Sequence, residues 1–389
     1  MTTQNTRASE LMQSMRQFAR HTPSSITLML VAGVTALSLS ACGGGGGGSN
    51  PPPPTPPTSS ISIFAGNPNA VGSQNGPAAS ALFDLPTGVA IDPVGNVYVA
   101  DSQNFTIRKI TGMNTTNVNV TTFAGSANNP GSANGTGSAA SFAGPQSIAI
   151  SPAGNLYVTD QGDEAVTVRE ITPAGQVTTL VDPRTSQALQ TDGSTILATD
   201  SASNLYLYTI QAATGASVLT QVTPSGAVNV ITLTTATGLP LGLVNPQGIA
   251  TDSANNVYIA DENVENSAGV LYKVAITGAS GRATTLAGSI ATAGTQDGPG
   301  NAATFDGLAA LTVDPSGNIY ANDFNNGTIR EISSAGVVST LAGTPGQSGL
   351  YLGQLPGVLP DIAQLAWFGN SLYTPDMDDN VILKLNPAP

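Results

Sequence analysis

A chain of 389 residues with 24 acidic and 11 basic side chains carries a net charge of −13, a sign that repels phosphate backbones, so no nucleic acid is expected as a partner. A single cysteine, Cys42, excludes an intrachain disulfide, and a single histidine, His21, leaves residues 22–389 without imidazole chemistry. Charged residues make up only 9% of the chain, while 44 glycines and 27 prolines punctuate it, which suits short strands and many turns better than helices.

Residues 1–41 read as an export leader. Arg7, Arg16 and Arg20 precede the apolar run Ile26–Leu39, which is too short for a membrane span of about 20 residues but fits the hydrophobic segment of a signal peptide. The run ends in Leu39-Ser40-Ala41-Cys42, which resembles the lipobox of bacterial lipoproteins. That resemblance implies that Cys42 is acylated, starts the mature chain and anchors it in a lipid bilayer. Gly43 in place of aspartate implies sorting to the outer membrane. Three of the 11 basic residues and one of the 24 acidic residues leave with the leader, so 8 face 23 and the net charge becomes −15. His21 leaves as well. Residues 42–59 then form a tether, flexible over Gly43–Gly48 and stiffer over the proline-rich Pro51–Pro57.

From residue 60 the chain repeats itself. Ser59–Gly66, SSISIFAG, reads as one strand with no partners before it. PTGVAIDPVGNVYVAD then opens at Pro86, and similar phrases open at Pro145, Ser194, Pro246, Leu308 and, shortened, Ile362. Their shared tyrosines are Tyr98, Tyr157, Tyr206, Tyr258, Tyr320 and Tyr373, spaced 49 to 62 residues apart, which makes six units. Each unit predicts an alternating strand, a tight Pro-x-Gly-Asn turn, a second strand such as NVYVAD, a third such as TIRKI and a fourth such as NVTTFAG. The sixth unit stops after its third strand, at NVILKLNPAP. The strand at 59–66 is therefore expected to complete the last blade and close a ring, which removes an open sheet edge.

These units resemble the NHL repeat, with its Pro-x-Gly-Ile-Ala-Val-Asp, Gly-Asn-Ile-Tyr-Val-Ala-Asp and later Arg-Ile phrases, over about residues 60–389. The resemblance implies an all-β fold: a six-bladed β-propeller of four-stranded blades, closed by the N-terminal strand. Unit three departs most, with Thr209 where the others carry aspartate. Propeller lyases of the NHL kind depend on histidine, so their chemistry is not expected here.

Strand alternation places the second-to-third turns and the long fourth-to-first connections on one face, and long loops on a rigid scaffold are the usual place for binding. Phe83, Phe142 and Phe305 end three of these connections and are expected to plug between blades. Asp101, Asp160, Asp261, Asp323 and Asp376 share one repeat position and read as acceptors for backbone N–H groups rather than as an acidic ring. Arg108, Arg169 and Arg330 stand where they can pair with three of them, whereas Tyr272 and Leu383 replace the arginine in units four and six. Trp367 reads as core. Asp84, Asp192 and Asp306 align at the start of the innermost strand, with Asp361 one position away. Around a channel mouth these four suit either solvated loop ends or a hard cation such as Ca2+, as in the gluconolactonase-like propellers.

Two functions follow. The first is a monomeric, membrane-tethered binding or scaffold protein of the envelope that engages a protein, peptide or glycan through the long-loop face. The alternative is a divalent-cation-dependent hydrolase or lactonase that uses the channel-mouth carboxylates.

Overall fold

Alternating apolar residues fold each unit into the expected strand meander. The computed structural model describes residues 59–113, 115–162, 165–191, 196–210 and 217–387. The leader, Cys42 and the tether through residue 58 lie outside the described residues, as does Asp192. In blade one the innermost strand Pro86–Ile91 is followed by Val97–Asp101, Thr106–Thr111 and the outer strand Asn119–Gly125, all antiparallel. Val89, Val97, Ile110 and Val120 point into an apolar layer that Tyr373 and Ile382 of blade six complete.

The other innermost strands are Pro145–Ile150, Ala198–Thr199, Pro246–Thr251, Leu308–Val313 and Ala366–Phe368. Each packs on the next and the sixth packs on the first, so the ring closes as a six-bladed β-propeller. Closure runs through the predicted strand: Ser60–Ala65 lies antiparallel to Val381–Asn386, from Ser60 opposite Asn386 to Ala65 opposite Ile382. Among the described residues no helix is long and apolar enough to cross a membrane.

The first turn of blades one, three, four and five has a carboxylate at its centre. Asp92 accepts the N–H groups of Val94 at 3.1 Å and Asn96 at 2.8 Å, the Asn96 amide at 2.6 Å and the Tyr98 hydroxyl at 3.5 Å. Gly95 supplies the left-handed residue of this turn, at φ 90°. Asp200, Asp252 and Asp314 repeat the arrangement on Tyr206, Tyr258 and Tyr320. This aspartate-to-tyrosine clamp explains why the phrase recurs so faithfully: a buried phenol is satisfied and a turn is capped by one side chain.

Two features go beyond the expected four strands. The long connections before blades one, two and five each lay down a short fifth strand, Gly76–Pro77, Gly135–Thr136 and Gly298–Pro299, against the outer strand of the blade that follows. In blade four that edge is taken by Thr232–Thr235, which runs parallel to Ser280–Gly288. Both arrangements cover outer edges that would otherwise offer free backbone groups to another chain.

Gln364 stands where Gly88, Ser147 and Gly248 stand on other innermost strands. Its amide donates to the Ile148 carbonyl at 2.8 Å and accepts from the Ile148 N–H at 3.1 Å. Blade six thus reaches past blade one to the backbone of blade two. A Cβ on Gly88 would meet the Gln146 carbonyl oxygen and come within 3.1 Å of the Gln364 side chain. Blades six, one and two are thus packed closely at this point by a side chain held at both ends of its amide.

Candidate functional site

The loop face is built on a buried triad that recurs in blades one, two and five. Asp101 is fully buried at the end of its strand. One carboxylate oxygen takes the Asp84 N–H at 2.8 Å; the other takes the Asn104 amide at 2.8 Å and the Arg108 guanidinium at 2.6 Å. Arg108 also donates to the carbonyls of Leu82 at 2.8 Å and Gln74 at 3.1 Å and to the Asn75 side chain at 2.8 Å. Its guanidinium lies over the Phe83 ring, 5.2 Å from the centroid. Arg169 repeats this with Asp160, Phe142 and the 133–141 connection, and Arg330 with Asp323, Phe305 and the 296–304 connection. The three phenylalanines are completely buried, as expected for plugs.

The aspartate position thus proves to be an acceptor of backbone N–H groups throughout. Asp261, without an arginine, takes the N–H groups of Val244 at 3.0 Å and Asn245 at 2.7 Å. Asp376 takes those of Asp378 at 3.1 Å and Asp379 at 3.0 Å, but its other oxygen is buried with no hydrogen-bond partner. Burial pushes Asp101 and Asp323 up to about 6 against the pull of their arginines and amide donors. Asp376, with Leu383 in place of the guanidinium, is pushed up to about 8 by burial and by the charges of Asp379 and Asp378. The pairing was visible in the sequence. The anchoring of loop carbonyls was not, because backbone acceptors leave no side-chain signature.

The aligned acids on this face are held by backbone contacts. Asp84 and Asp306 sit at equivalent places, since the Asp306 N–H reaches Asp323 at 2.7 Å just as that of Asp84 reaches Asp101. Asp306 accepts the Asn325 amide at 2.9 Å, and Glu262 nearby is raised by burial first and then by the charges of Asp261 and Asp306. Asp361 lies beside Asp378, whose carboxyl is raised by burial first and then by Asp361. Burial raises Asp84 and Asp361 too. Among the described residues, no three carboxylates or other ligand side chains come together as a group able to hold a metal ion.

Trp367, read as core, is part-buried on the innermost strand Ala366–Phe368: it packs against the apolar cluster of blades five and six and stacks on Tyr320 with ring centroids 4.7 Å apart and planes 8° from parallel. It lines a groove of about 800 Å³ between blades five and six, at the face opposite the long loops. The indole stands where Ile91 and Ile150 stand on other innermost strands.

Comparison with known proteins agrees with this architecture. The family model for the NHL repeat matches residues 83–110. No curated protein matches the chain. Among solved structures, an auxiliary nutrient binding protein from Bacteroides ovatus is similar with a TM-score of 0.63 and 16% identity over 85% of this chain and 77% of its own. Another from Bacteroides thetaiotaomicron gives 0.61 and 14% over 85% and 77%. A structural-genomics protein from Bacteroides thetaiotaomicron gives 0.62 and 20% over 84% and 76%. At these identities the likeness is one of fold. Repeat, ring and closure together make this chain a six-bladed β-propeller that carries an NHL repeat.

Proposed function

We propose that the chain is a binding protein of the bacterial envelope, tethered by lipid at Cys42, that engages a protein, peptide or glycan through its long-loop face. One observation carries the reading: apolar side chains are exposed on loops whose backbones are tied down. Val264, Ile290 and Phe324 are exposed on the loop face of blades four and five. Asn263 and Asn266 donate to the carbonyls of Ile290 and Ala291 at 3.0 and 3.2 Å, which fastens the two loops carrying Val264 and Ile290 together. Arg330 pins the same long connection from below. A surface ordered before binding loses little entropy on binding, which is the physical advantage of a rigid recognition face. The same fold serves nutrient binding in two Bacteroides proteins, and the reading follows them no further than binding.

The test is a screen of the full-length protein against envelope glycans and peptides. Val264→Ser with Phe324→Ser should remove any hit and leave the melting temperature unchanged. A hit that survives the double variant would move binding off this face. In the same preparation, a lactone and ester screen with added calcium should find no turnover. Turnover that Asp361→Asn abolishes would replace this reading with the cation-dependent hydrolase.

A further inference from the structure

The six blades place one side chain opposite the shared tyrosine, and its identity varies. Lys109 faces Tyr98, Lys273 faces Tyr258 and Lys384 faces Tyr373 across their strand pairs. Each ammonium lies over its ring, at 5.2, 5.5 and 5.8 Å from the centroid. In blade four the Lys273 ammonium also lies 3.9 Å from Asp252, the turn aspartate. Aromatic ring, turn carboxylate and ammonium therefore form a cation site that the chain fills from its own sequence.

Blade five keeps the ring and the carboxylate and reverses the third member. Glu331 stands opposite Tyr320, where blades one, four and six have lysine. Its carboxylate accepts from the Tyr320 hydroxyl at 3.4 Å, as does that of Asp314. Blade two also has a glutamate there, Glu170, but Ser151 replaces its turn aspartate, and Glu170 takes the Asn155 amide at 2.8 Å in its stead. Among the described residues, blade five alone holds two carboxylates around the tyrosine, and no lysine, arginine or histidine lines its groove.

That groove is the one that Trp367 lines, about 800 Å³ with Leu341 and Leu355 among its walls. Its volume is that of a small-molecule site.

We infer that the blade five–six groove binds an organic cation, an alkylammonium group that takes the place of the missing lysine. The ammonium lies between Asp314 and Glu331 beside the Tyr320 ring, and its aliphatic stem runs along Leu341 and Leu355. The group can belong to a free polyamine or to a lysine side chain of a peptide. This site is separate from the loop face and does not depend on the function proposed for that face.

Trp367 is the chain's only tryptophan, so its fluorescence reports on this groove alone. The experiment titrates the full-length protein in low salt with spermidine in one arm and acetyl-Gly-Lys-Gly-amide in the other. Saturable fluorescence change is expected in at least one arm, and the arm that saturates at lower concentration identifies the source. Glu331→Gln, the kind of residue blade three holds at Gln221, should weaken binding about fivefold, as loss of one ion pair does. Glu331→Lys restores the arrangement of blades one and four and should abolish binding, with an unchanged melting temperature to show that the fold is intact. Absence of saturation in both arms overturns the inference. So does equal binding by Glu331→Lys, which would mean that the cation sits elsewhere on an acidic surface. A neutral tetrasaccharide that saturates where both cations fail would also overturn it.

Discussion

Arg108, Arg169 and Arg330 are among the largest fully buried side chains, and a buried guanidinium is tolerable only while its partners stay in place. The Nε atoms of all three are buried without a partner, so each site carries one unsatisfied donor even when intact. Arg330→Leu should cost about 3–5 kcal/mol, because it strands the buried Asp323 and frees the connection at residues 296–304. Adding Asp323→Asn should recover at least about 1 kcal/mol of that loss by removing the stranded charge. Urea unfolding of the two variants checks this, and equal midpoints would assign the whole cost to the lost loop anchors. Blade six already lacks the cation of this pair. Asp376, pushed up to about 8 by burial and then by the charges of Asp379 and Asp378, has Leu383 on the next strand where other blades have the arginine. An unfolded aspartate titrates near about 3.9. Between those two values the native state holds a proton that the unfolded chain has released, so stability falls as pH rises, by up to about 1.4 kcal/mol per unit. Asp376→Asn should flatten that decline and raise the melting temperature at pH 8. An Asn variant that melts lower than the parent at pH 8 would mean that the carboxylate is ionised and useful there.

At the level of strands and turns, the parts that were legible in the sequence are those with side-chain periodicity. The alternation in PTGVAI and NVYVAD and the turn between them fixed six blades, and the unpaired SSISIFAG foretold the closure. The two-residue edge strands at Gly76–Pro77 and Gly298–Pro299 were not legible, since a pair of residues has no period and their pairing is all backbone. The same cause hid the parallel strand Thr232–Thr235, whose threonines carry no alternation of apolar and polar side chains. The groove at Trp367 was hidden by a different cause: a tryptophan on an innermost strand looks like core until the size of its neighbours is known. Its place on the turn face means that loop length, which pointed to the opposite face, was a guide to only one of the surfaces. Deleting residues 59–66 should lower the melting temperature and drive aggregation, because Val381–Asn386 would lose its outer partner and become an open edge. Light scattering and thermal melts measure both effects, and a monomeric deletion variant of unchanged stability would show that blade six closes without this strand.

For the whole molecule, the proposed lipid anchor and a charge of −15 after loss of the proposed leader would set where the propeller works. One acyl chain binds a bilayer only marginally, and two or more hold it stably. Cys42→Ala should therefore leave the protein uncleaved or move it out of the lipid fraction, and normal membrane fractionation of that variant in high salt would defeat the anchoring proposal. The closing strand has a further consequence, in the order of events during synthesis. Ser60 meets Asn386, a residue 326 positions later, so the first described strand pairs with the last. Contacts over such separations are slow to form. Any product that ends before Val381 is left with an unmatched strand at one end of the chain and an unfinished blade at the other. A chain made through to Val381–Asn386 can cover both edges, and one that stops before it leaves them open to another strand.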